Sequence, residues 1–293
     1  MAASAIRLAV VALVLLMFPL SAFAWGPDGH RSVCRIAYLL LDDADQAEVR
    51  RLTEAFTGPD GRKYQFFTDA CLFPDDARPK ARQGLPEWVR LDQFSNWHFL
   101  NVPRETVVIG AGACANDCVL HGIEFHANLL KNGASDQERA EALFFLGHWV
   151  GDVHQPLHVS FADDLGGNNV KPIRGGFYTS GSLHSVWDSG IIVNARGDVG
   201  WRQFAEKLEA EITPVEQAAW LVAPPLEWAQ ESYTITTARL AEYCEWTTTE
   251  CAAEPGTGRT LTITYQREFQ ETVEDRLRQA GVRLAEMIRQ NIR

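Results

Sequence analysis

Two His-x-x-x-Asp pairs are the residues of this sequence whose spacing points most directly to chemistry. His148 precedes Asp152 by four positions, and His184 precedes Asp188 by four. On a helix, side chains four positions apart lie one above the other, so an imidazole nitrogen and a carboxylate oxygen can share one metal ion. A single pair of this kind is most often a surface ion pair. Two pairs in apolar surroundings favour metal binding.

Further histidines lie close to the first pair. His158 lies about 80° around the helix from His148, and Pro156 can turn it further inward. We expect His158 to be a ligand and His154 to be a neighbour of the site or a solvent-exposed residue. Zinc readily accepts imidazole nitrogen and carboxylate oxygen. Two histidines of another segment are expected not to bind metal, namely His121 and His126.

The first 24 residues are predicted to be a secretory signal peptide. Arg7 is followed by an apolar run over 8–20 and by Ser-Ala-Phe-Ala at 21–24. This order of basic, apolar and small residues is typical of signal peptides, and the run is too short to span a bilayer. We expect one domain over 25–293, no membrane anchor after cleavage, and a secreted or periplasmic location. Cleavage would free the amine of Trp25, which could chelate a metal together with its own carbonyl.

Six cysteines fit an exported protein, since an even number in an oxidising compartment permits up to three disulfides. No Cys-x-x-Cys motif is present, so the sequence gives no support for a thiolate zinc site or a redox motif. The short spacings favour two local pairs and leave one long-range pair, namely Cys114–Cys118, Cys244–Cys251 and Cys34–Cys71.

Helical patterns extend over most of the chain. The strongest runs over Gln137–His154, where Ser135 can cap the helix and apolar residues recur at helical spacing. Only 260–265 alternates like a strand, and the Gly- and Asn-rich stretch 163–176 predicts a long surface loop. No linker divides the chain, so we expect a single all-α domain. Further helices are predicted at about 30–41, 47–56, 123–131, 182–194, 201–212, 226–243 and 268–292.

The charge balance argues against broad binding to duplex nucleic acid. The chain has 38 acidic and 27 basic side chains and a formal net charge of −11. Proteins that clamp duplexes through phosphate contacts usually present a basic face. A phosphate substrate would therefore need a local source of positive charge, such as bound metal.

Six blocks of the sequence, in order, resemble the zinc-dependent single-strand-specific nucleases. The resemblance extends over most of 25–293 and is loosest at 102–140 and 195–265. The blocks are Trp25-Gly-Pro-Asp-Gly-His30, Phe73-Pro-Asp75-Asp-Ala-Arg78, Trp97-His98-Phe99-Leu-Asn101, Leu146-Gly-His148-Trp-Val-Gly-Asp152-Val-His-Gln-Pro-Leu-His158, Gly166-Gly-Asn168 and Leu183-His184-Ser-Val-Trp187-Asp188.

This resemblance implies an all-α fold, like that of the zinc phospholipases C, and three Zn²⁺ ions per chain. Asp76 can align in place of the first ligand, Asp75. The implied ligands of the first ion are Asp75, His98, His148 and Asp152. Those of the second are the amine and carbonyl of Trp25, with His30 and again Asp152. Those of the third are His158, His184 and Asp188.

The resemblance also implies catalytic and substrate-binding residues. Asp75 would orient or deprotonate the attacking water, Arg78 would contact the scissile phosphate, and Phe99 would stack a nucleobase. The implied substrates are single-stranded DNA and RNA, cut to 5′-phosphate products; the hydrolysis of 3′-nucleotides stays open. No stable protein partner is implied. Further stacking candidates, which packing explains equally well, are Phe161, Phe177 and Tyr178.

Two other functions compete with a nuclease. A secreted zinc phospholipase C would share the N-terminal Trp, the metal set and the helical fold, but the blocks around His98 and His184 look more like the nucleases. A non-catalytic zinc protein would close each site with four protein ligands, whereas the implied set leaves open positions.

Overall fold

One helix is buried on every side over most of its length and lies at the centre of the fold. The helix Asp136–His154 begins at Ser135, whose Oγ accepts a hydrogen bond from the backbone N–H of Glu138 at 3.2 Å. From Ala140 onward all its residues are buried. Because such a helix must be covered all round, helices from both ends of the chain pack against it.

The structure is a computed structural model that describes residues 25–171, 173–174, 181–238, 259–261 and 263–293. Over these ranges helices dominate, so the predicted all-α fold is confirmed. No helix in the same ranges is long and apolar enough to cross a membrane. Several sequence predictions concern positions outside the described residues, namely the signal peptide at 1–24, the Cys244–Cys251 pair, Phe177 and Tyr178.

The described helices match most of the predicted segments to within a few residues. In chain order they are α1 Pro27–Leu40, α2 Asp43–Ala55, α3 Phe67–Ala70, α4 Phe73–Arg82, α5 Val119–Asn132, α6 Asp136–His154, α7 Leu183–Ser185, α8 Ile191–Arg196, α9 Trp201–Ala210, α10 Pro214–Trp220, α11 Pro225–Thr236, α12 Ile263–Glu268 and α13 Gln270–Asn291. Short 3₁₀ helices occupy Val89–Phe94, Ala111–Cys114 and Pro156–His158.

Several segments differ from the predicted helices. No helix was predicted where α3 and α10 form. None was predicted at 73–82 either, yet α4 forms there with Pro74 in its first turn and Pro79 inside it. The single helix predicted at 182–194 is interrupted, because Val186–Gly190 winds as a π-helix between α7 and α8. Such bulges are frequent at functional sites, and this one contains Asp188.

Short strands connect segments that carry predicted ligands. β1 (Leu100–Val102) pairs in parallel with β2 (Val159–Phe161). The pairing brings His98, two residues before β1, and His158, immediately before β2, into the same region of the fold. The strand-like alternation at 260–265 does not give a strand of that length: β4 (Arg259–Thr260) pairs with β3 (Ile173–Arg174), and α12 follows.

Two of the three predicted disulfides lie in described parts of the chain, and both are confirmed. Cys34 bonds to Cys71 across 37 positions, and Cys114 bonds to Cys118. The first joins α1 to the residue between α3 and α4. The second lies just before α5.

Candidate metal centre

Buried histidines and aspartates form three groups that could each hold a metal ion. Within each group, one ligand atom per residue lies within 4.8 Å of the others. The groups are His30, His148 and Asp152; Asp75, His98 and His148; and His158, His184 and Asp188. The structure thus brings together the eight His and Asp ligands that the resemblance implied.

Asp152 lies between two of the groups. Its Oδ1 is 3.4 Å from Nε2 of His30. Its Oδ2 is 3.2 Å from Nδ1 of His98 and 3.4 Å from Nε2 of His148. Oδ1 also lies 3.5 Å from Nδ1 of His158. One oxygen thus faces His30 and the other faces His98 and His148, which is an arrangement that suits a bridging ligand.

The choice between Asp75 and Asp76 is clear in the structure. Asp75 is buried at the start of α4, with Oδ1 3.5 Å from Nε2 of His148 and 3.6 Å from Nδ1 of His98. Asp76 points to the surface, where it accepts a hydrogen bond from Arg62 at 2.8 Å. Asp75 is therefore the residue that can take part in the centre.

The third group is formed by residues of three short helical segments: His158 in the 3₁₀ helix after α6, His184 in α7 and Asp188 in the π-helical turn. Nε2 of His158 lies 3.1 Å from Nε2 of His184, which is itself 3.4 Å from Oδ2 of Asp188. Gln155 donates a hydrogen bond to Oδ1 of Asp188. This amide fixes Oδ1, which lies 3.8 Å from Nε2 of His158, and leaves Oδ2 directed at His184.

Backbone carbonyls set the tautomers of three of these histidines. Nδ1 of His148 donates to the carbonyl of Cys71 at 2.8 Å, and Nδ1 of His184 donates to that of Gly166 at 2.7 Å. Nδ1 of His158 donates to the carbonyl of His98 at 2.6 Å. In the neutral imidazole each Nε2 then carries the lone pair and directs it into the group, which is how carbonyl acceptors orient histidines at metal sites.

The polar atoms at the centre suit a bound cation. Neither ring nitrogen of His30 and neither oxygen of Asp152 has a hydrogen-bond partner among the described residues, although both side chains are fully buried. Burying unpaired polar atoms is unfavourable. A Cβ at Gly151 would lie 2.8 Å from Nδ1 of His30, so only glycine leaves room for this ring. The lone pairs of these nitrogens and oxygens face one another in a small space, an arrangement that suits a bound divalent cation.

The pKa values follow the same logic. Burial raises the pKa of Asp152 and Asp188 well above that of an ordinary carboxyl group, with the neighbouring carboxylate of Asp75 adding to the effect. Burial also lowers the pKa of His184 to about 4. Neutral imidazoles are ready to coordinate, and a dication would keep the buried carboxyl groups ionised.

The start of the described chain lies beside the centre. Trp25 is fully buried. The N–H of Gly26 donates to the carbonyl of Asp188 at 2.8 Å, and a Cβ at Gly29 would lie 2.8 Å from Cβ of Trp25. Residue 25 is thus held between the turn that carries Asp188 and the helix that carries His30.

Arg78 and Phe99 lie next to each other at the edge of the centre. The Arg78 guanidinium is 5.6 Å from the centroid of the Phe99 ring, which is partly exposed. Arg78 and His98 line the same small cavity. Burial lowers the pKa of Arg78 to about 10, so it stays charged at neutral pH. A positive charge and an aromatic face are therefore available together.

Other expectations need correction. His154 is not exposed to solvent: it is fully buried, and its Nε2 lies 2.8 Å from Nη1 of Arg283. Phe161 is fully buried and contacts Tyr233, so it is a packing residue. The stretch at 163–176 is not wholly a surface loop, since Asp164 is fully buried.

Sequence reasoning missed the groups that orient the ligands. Gln155 and the carbonyls of Cys71, His98 and Gly166 all lie in or near the quoted blocks. A carbonyl has no side-chain signature, so only its place beside a motif could have indicated it. Gly166 has a φ of +64°, a left-handed conformation that favours glycine.

The fold and the centre together define a helical protein with the ligand set of a metal-dependent hydrolase. A family model described as S1/P1 Nuclease matches residues 25–293. Endonuclease 1 of Arabidopsis thaliana is 29% identical over 307 residues, which cover 96% of this chain and 92% of that protein. The chain therefore belongs to the S1/P1 nuclease family.

Two other relatives are similar over shorter stretches. Endonuclease 5 of Arabidopsis thaliana is 32% identical over 199 residues, which cover 64% of this chain and 62% of that protein, less than two thirds of its length. Nuclease S1 of Aspergillus oryzae is 28% identical over 185 residues, covering 60% of this chain and 57% of that protein. The family identifies the protein as a hydrolase of the nuclease class.

Proposed function

We propose that this protein is a zinc-dependent endonuclease that hydrolyses single-stranded DNA and RNA and leaves 5′-phosphate products. The observation that carries the proposal is the convergence of three buried His and Asp groups beside Arg78 and Phe99. Imidazole and carboxylate ligands without thiolates suit zinc. One Zn²⁺ per group would give three per chain.

The chain's own residues would carry distinct roles around the metals. Bound zinc would supply Lewis acidity and a nucleophilic water near neutral pH. Asp75, whose Oδ1 lies 3.5 Å and 3.6 Å from two imidazole nitrogens, would accept a proton from the attacking water or orient it. Arg78 would hold the scissile phosphate and stabilise charge that develops on its oxygens.

A preference for unpaired strands follows from the depth of the centre. The His and Asp ligand residues are at most 7% exposed, so a phosphate held in a stacked duplex would not reach them. An unpaired nucleotide can turn outward, and its base can stack on the exposed part of Phe99. Such stacking contributes about 1–3 kcal/mol per base.

Export and maturation belong to the same proposal. We infer that residues 1–24 are a signal peptide and that the mature domain starts at Trp25, secreted or in the periplasm. The free amine and the carbonyl of Trp25 would then complete the group of His30 and Asp152. Two disulfides fit an oxidising compartment.

The N-terminal ligand is tested by adding one Ala ahead of Trp25 in the mature protein. An amide nitrogen is a poor ligand, so the extended protein should retain less zinc and turn over much more slowly. Metal analysis and hydrolysis rate should fall together. Unchanged zinc content and activity in the extended protein would refute the chelate.

The function is tested by giving the mature protein three substrates: a single-stranded oligonucleotide, the same sequence as a duplex, and phosphatidylcholine vesicles. The expected result is zinc-dependent cleavage of the single strand, slow cleavage of the duplex, and 5′-phosphate ends. An Arg78→Ala variant should keep its zinc and lose about 10²–10³-fold in turnover. Hydrolysis of the lipid alone would make the protein a phospholipase C and sink the nuclease proposal.

A further inference from the structure

The Cys34–Cys71 disulfide lies beside two of the three candidate metal groups. Cys34 comes one helical turn after His30 on α1, and Cys71 comes four residues before Asp75. The bond therefore joins the helix that supplies His30 to the segment that supplies Asp75. It is fully buried at both ends.

The same disulfide also contacts the helix that supplies His148. A Cβ added at Gly147 would lie 2.9 Å from Sγ of Cys71 and 3.0 Å from Sγ of Cys34, so both sulfurs pack against the backbone of α6. The carbonyl of Cys71 accepts the Nδ1 hydrogen of His148 at 2.8 Å. One covalent link thus meets three segments that carry ligands.

The two histidines on either side of this link touch each other. The rings of His30 and His148 stack with centroids 3.8 Å apart and planes inclined by 11°. Nearby, α1 is also tied to α3 by the ion pair of Arg31 with Asp69 at 2.9 Å. That pair is partly exposed and contributes little, so the disulfide is the stronger constraint on the spacing.

We propose that Cys34 and Cys71 are positioning residues for the metal centre. Their bond fixes the carbonyl that orients His148 and holds His30 against that ring, so the two groups that share His148 keep their metal. The inference rests on the proposed zinc function. The third group takes its carbonyl acceptors from His98 and Gly166 instead, so it should depend far less on this disulfide.

The test compares Cys34→Ala/Cys71→Ala with a matched control, Cys114→Ala/Cys118→Ala. Both variants lose one disulfide, but the control bond closes a four-residue separation that contains no ligand. Zinc release to a chelator is followed in the zinc-loaded protein. Loss of the groups that accept hydrogen bonds from metal ligands typically weakens metal binding 10–100-fold. We therefore expect about 10–100-fold faster release of two ions from the first variant and wild-type release from the control.

A His184→Ala background assigns the ions that are lost. With the third group disabled, the remaining zinc belongs to the groups that share His148. Removing the Cys34–Cys71 bond in this background should release that zinc about 10–100-fold faster. Equal release with and without the bond would overturn the inference and leave the proposed function standing. A wild-type protein that binds no zinc would overturn both.

Reduction in place of substitution covers the case in which the Cys34→Ala/Cys71→Ala variant does not fold. In the Cys114→Ala/Cys118→Ala/Cys244→Ala/Cys251→Ala protein, the two remaining cysteines of the six are Cys34 and Cys71, so a phosphine reductant acts on their bond alone. Circular dichroism reports whether the helices persist. Faster zinc release from the reduced, still helical protein supports the positioning role. Unchanged release from protein whose thiols have been titrated as free overturns it.

Discussion

The two carboxylate oxygens of Asp152 allow this one residue to serve two metal groups. Its two oxygens face different sets of histidines at 3.2–3.4 Å, whereas one oxygen of Asp188 is occupied by Gln155. A ligand shared by two groups matters to both, and an unshared ligand matters to one. This asymmetry follows from position alone, since both are buried aspartates that come four residues after a histidine.

We therefore predict that Asp152→Ala loses more zinc than Asp188→Ala. With three ions in the wild type, the first variant should lose about two and the second about one, because the other groups keep their own ligands. Metal analysis of the purified variants measures this directly. Equal losses would argue against a bridge at Asp152.

His126 is a buried histidine outside the candidate metal groups. Packing holds its ring, and it carries no predicted metal role. Its ring stacks on Phe145 with centroids 4.8 Å apart, and Trp149 donates its indole N–H to Nδ1 at 3.0 Å. Since an indole can only donate, Nδ1 must be unprotonated. Burial lowers the pKa of His126 to about 3, although the carbonyl of Gly122 opposes the shift.

This lowered pKa predicts a loss of stability in acid. In the unfolded chain the pKa of His126 is 6.5. Below pH 6.5 the unfolded chain therefore binds a proton at this residue, whereas native His126 stays neutral. The stability present above pH 6.5 is thus lost as the pH falls towards 3, by about 1.4 kcal/mol per pH unit. His126→Gln keeps an acceptor for Trp149 and lacks the titration.

Urea unfolding of both proteins at about pH 7 and about pH 5 measures the difference. The wild type should lose about 2 kcal/mol more than His126→Gln over this interval. Any metal release in acid affects both proteins alike, so the difference in slopes isolates His126. Identical slopes would contradict a neutral, buried imidazole.

At the scale of elements, local signals predicted the regular helices and failed where tertiary contacts decide. The capping Ser135 and the apolar spacing of α6 were sufficient to place that helix. No helix was predicted for the segment of α4, which contains two prolines; in the structure Pro74 fits the first turn and Phe73 is fully buried. The π-helical turn at 186–190 cannot be read from periodicity, because spacing over so short a segment does not distinguish it from an α-helix.

The crossing of α1 and α13 depends on a glycine. A Cβ at Gly281 would lie 2.3 Å from Cγ2 of Ile36 and 2.6 Å from its Cβ. Because both helices are held by buried side chains, neither can move away freely. Gly281 is therefore the point of closest approach that a larger residue would disturb.

We predict that Gly281→Ala lowers the free energy of unfolding by about 1–3 kcal/mol through overpacking. Gly112→Ala is the matched control, since a Cβ there meets no atom within 4 Å; its effect should stay within about 0.5 kcal/mol. Urea unfolding at neutral pH provides both values. An unchanged free energy of unfolding in Gly281→Ala would show that the two helices can move apart without loss of stability.

At the scale of the whole molecule, an acidic protein concentrates cation-binding groups in one place. The net charge of −11 disfavours contact with a polyanion, so the candidate centre must supply the attraction. The sequence identified the ligand types and, by resemblance, their grouping. The convergence of residues between positions 30 and 188 could not follow from local spacing, because it depends on β1 pairing with β2 and on how α1 and α4 pack against α6.

Anomalous diffraction at the zinc absorption edge, from crystals of the zinc-loaded mature domain, tests the central claim most directly. The account predicts three peaks, one in each group: beside His30 and Asp152, beside Asp75 and His98, and between His158, His184 and Asp188. Zinc found only elsewhere on the protein, or a single peak with the other groups filled by water, would contradict it.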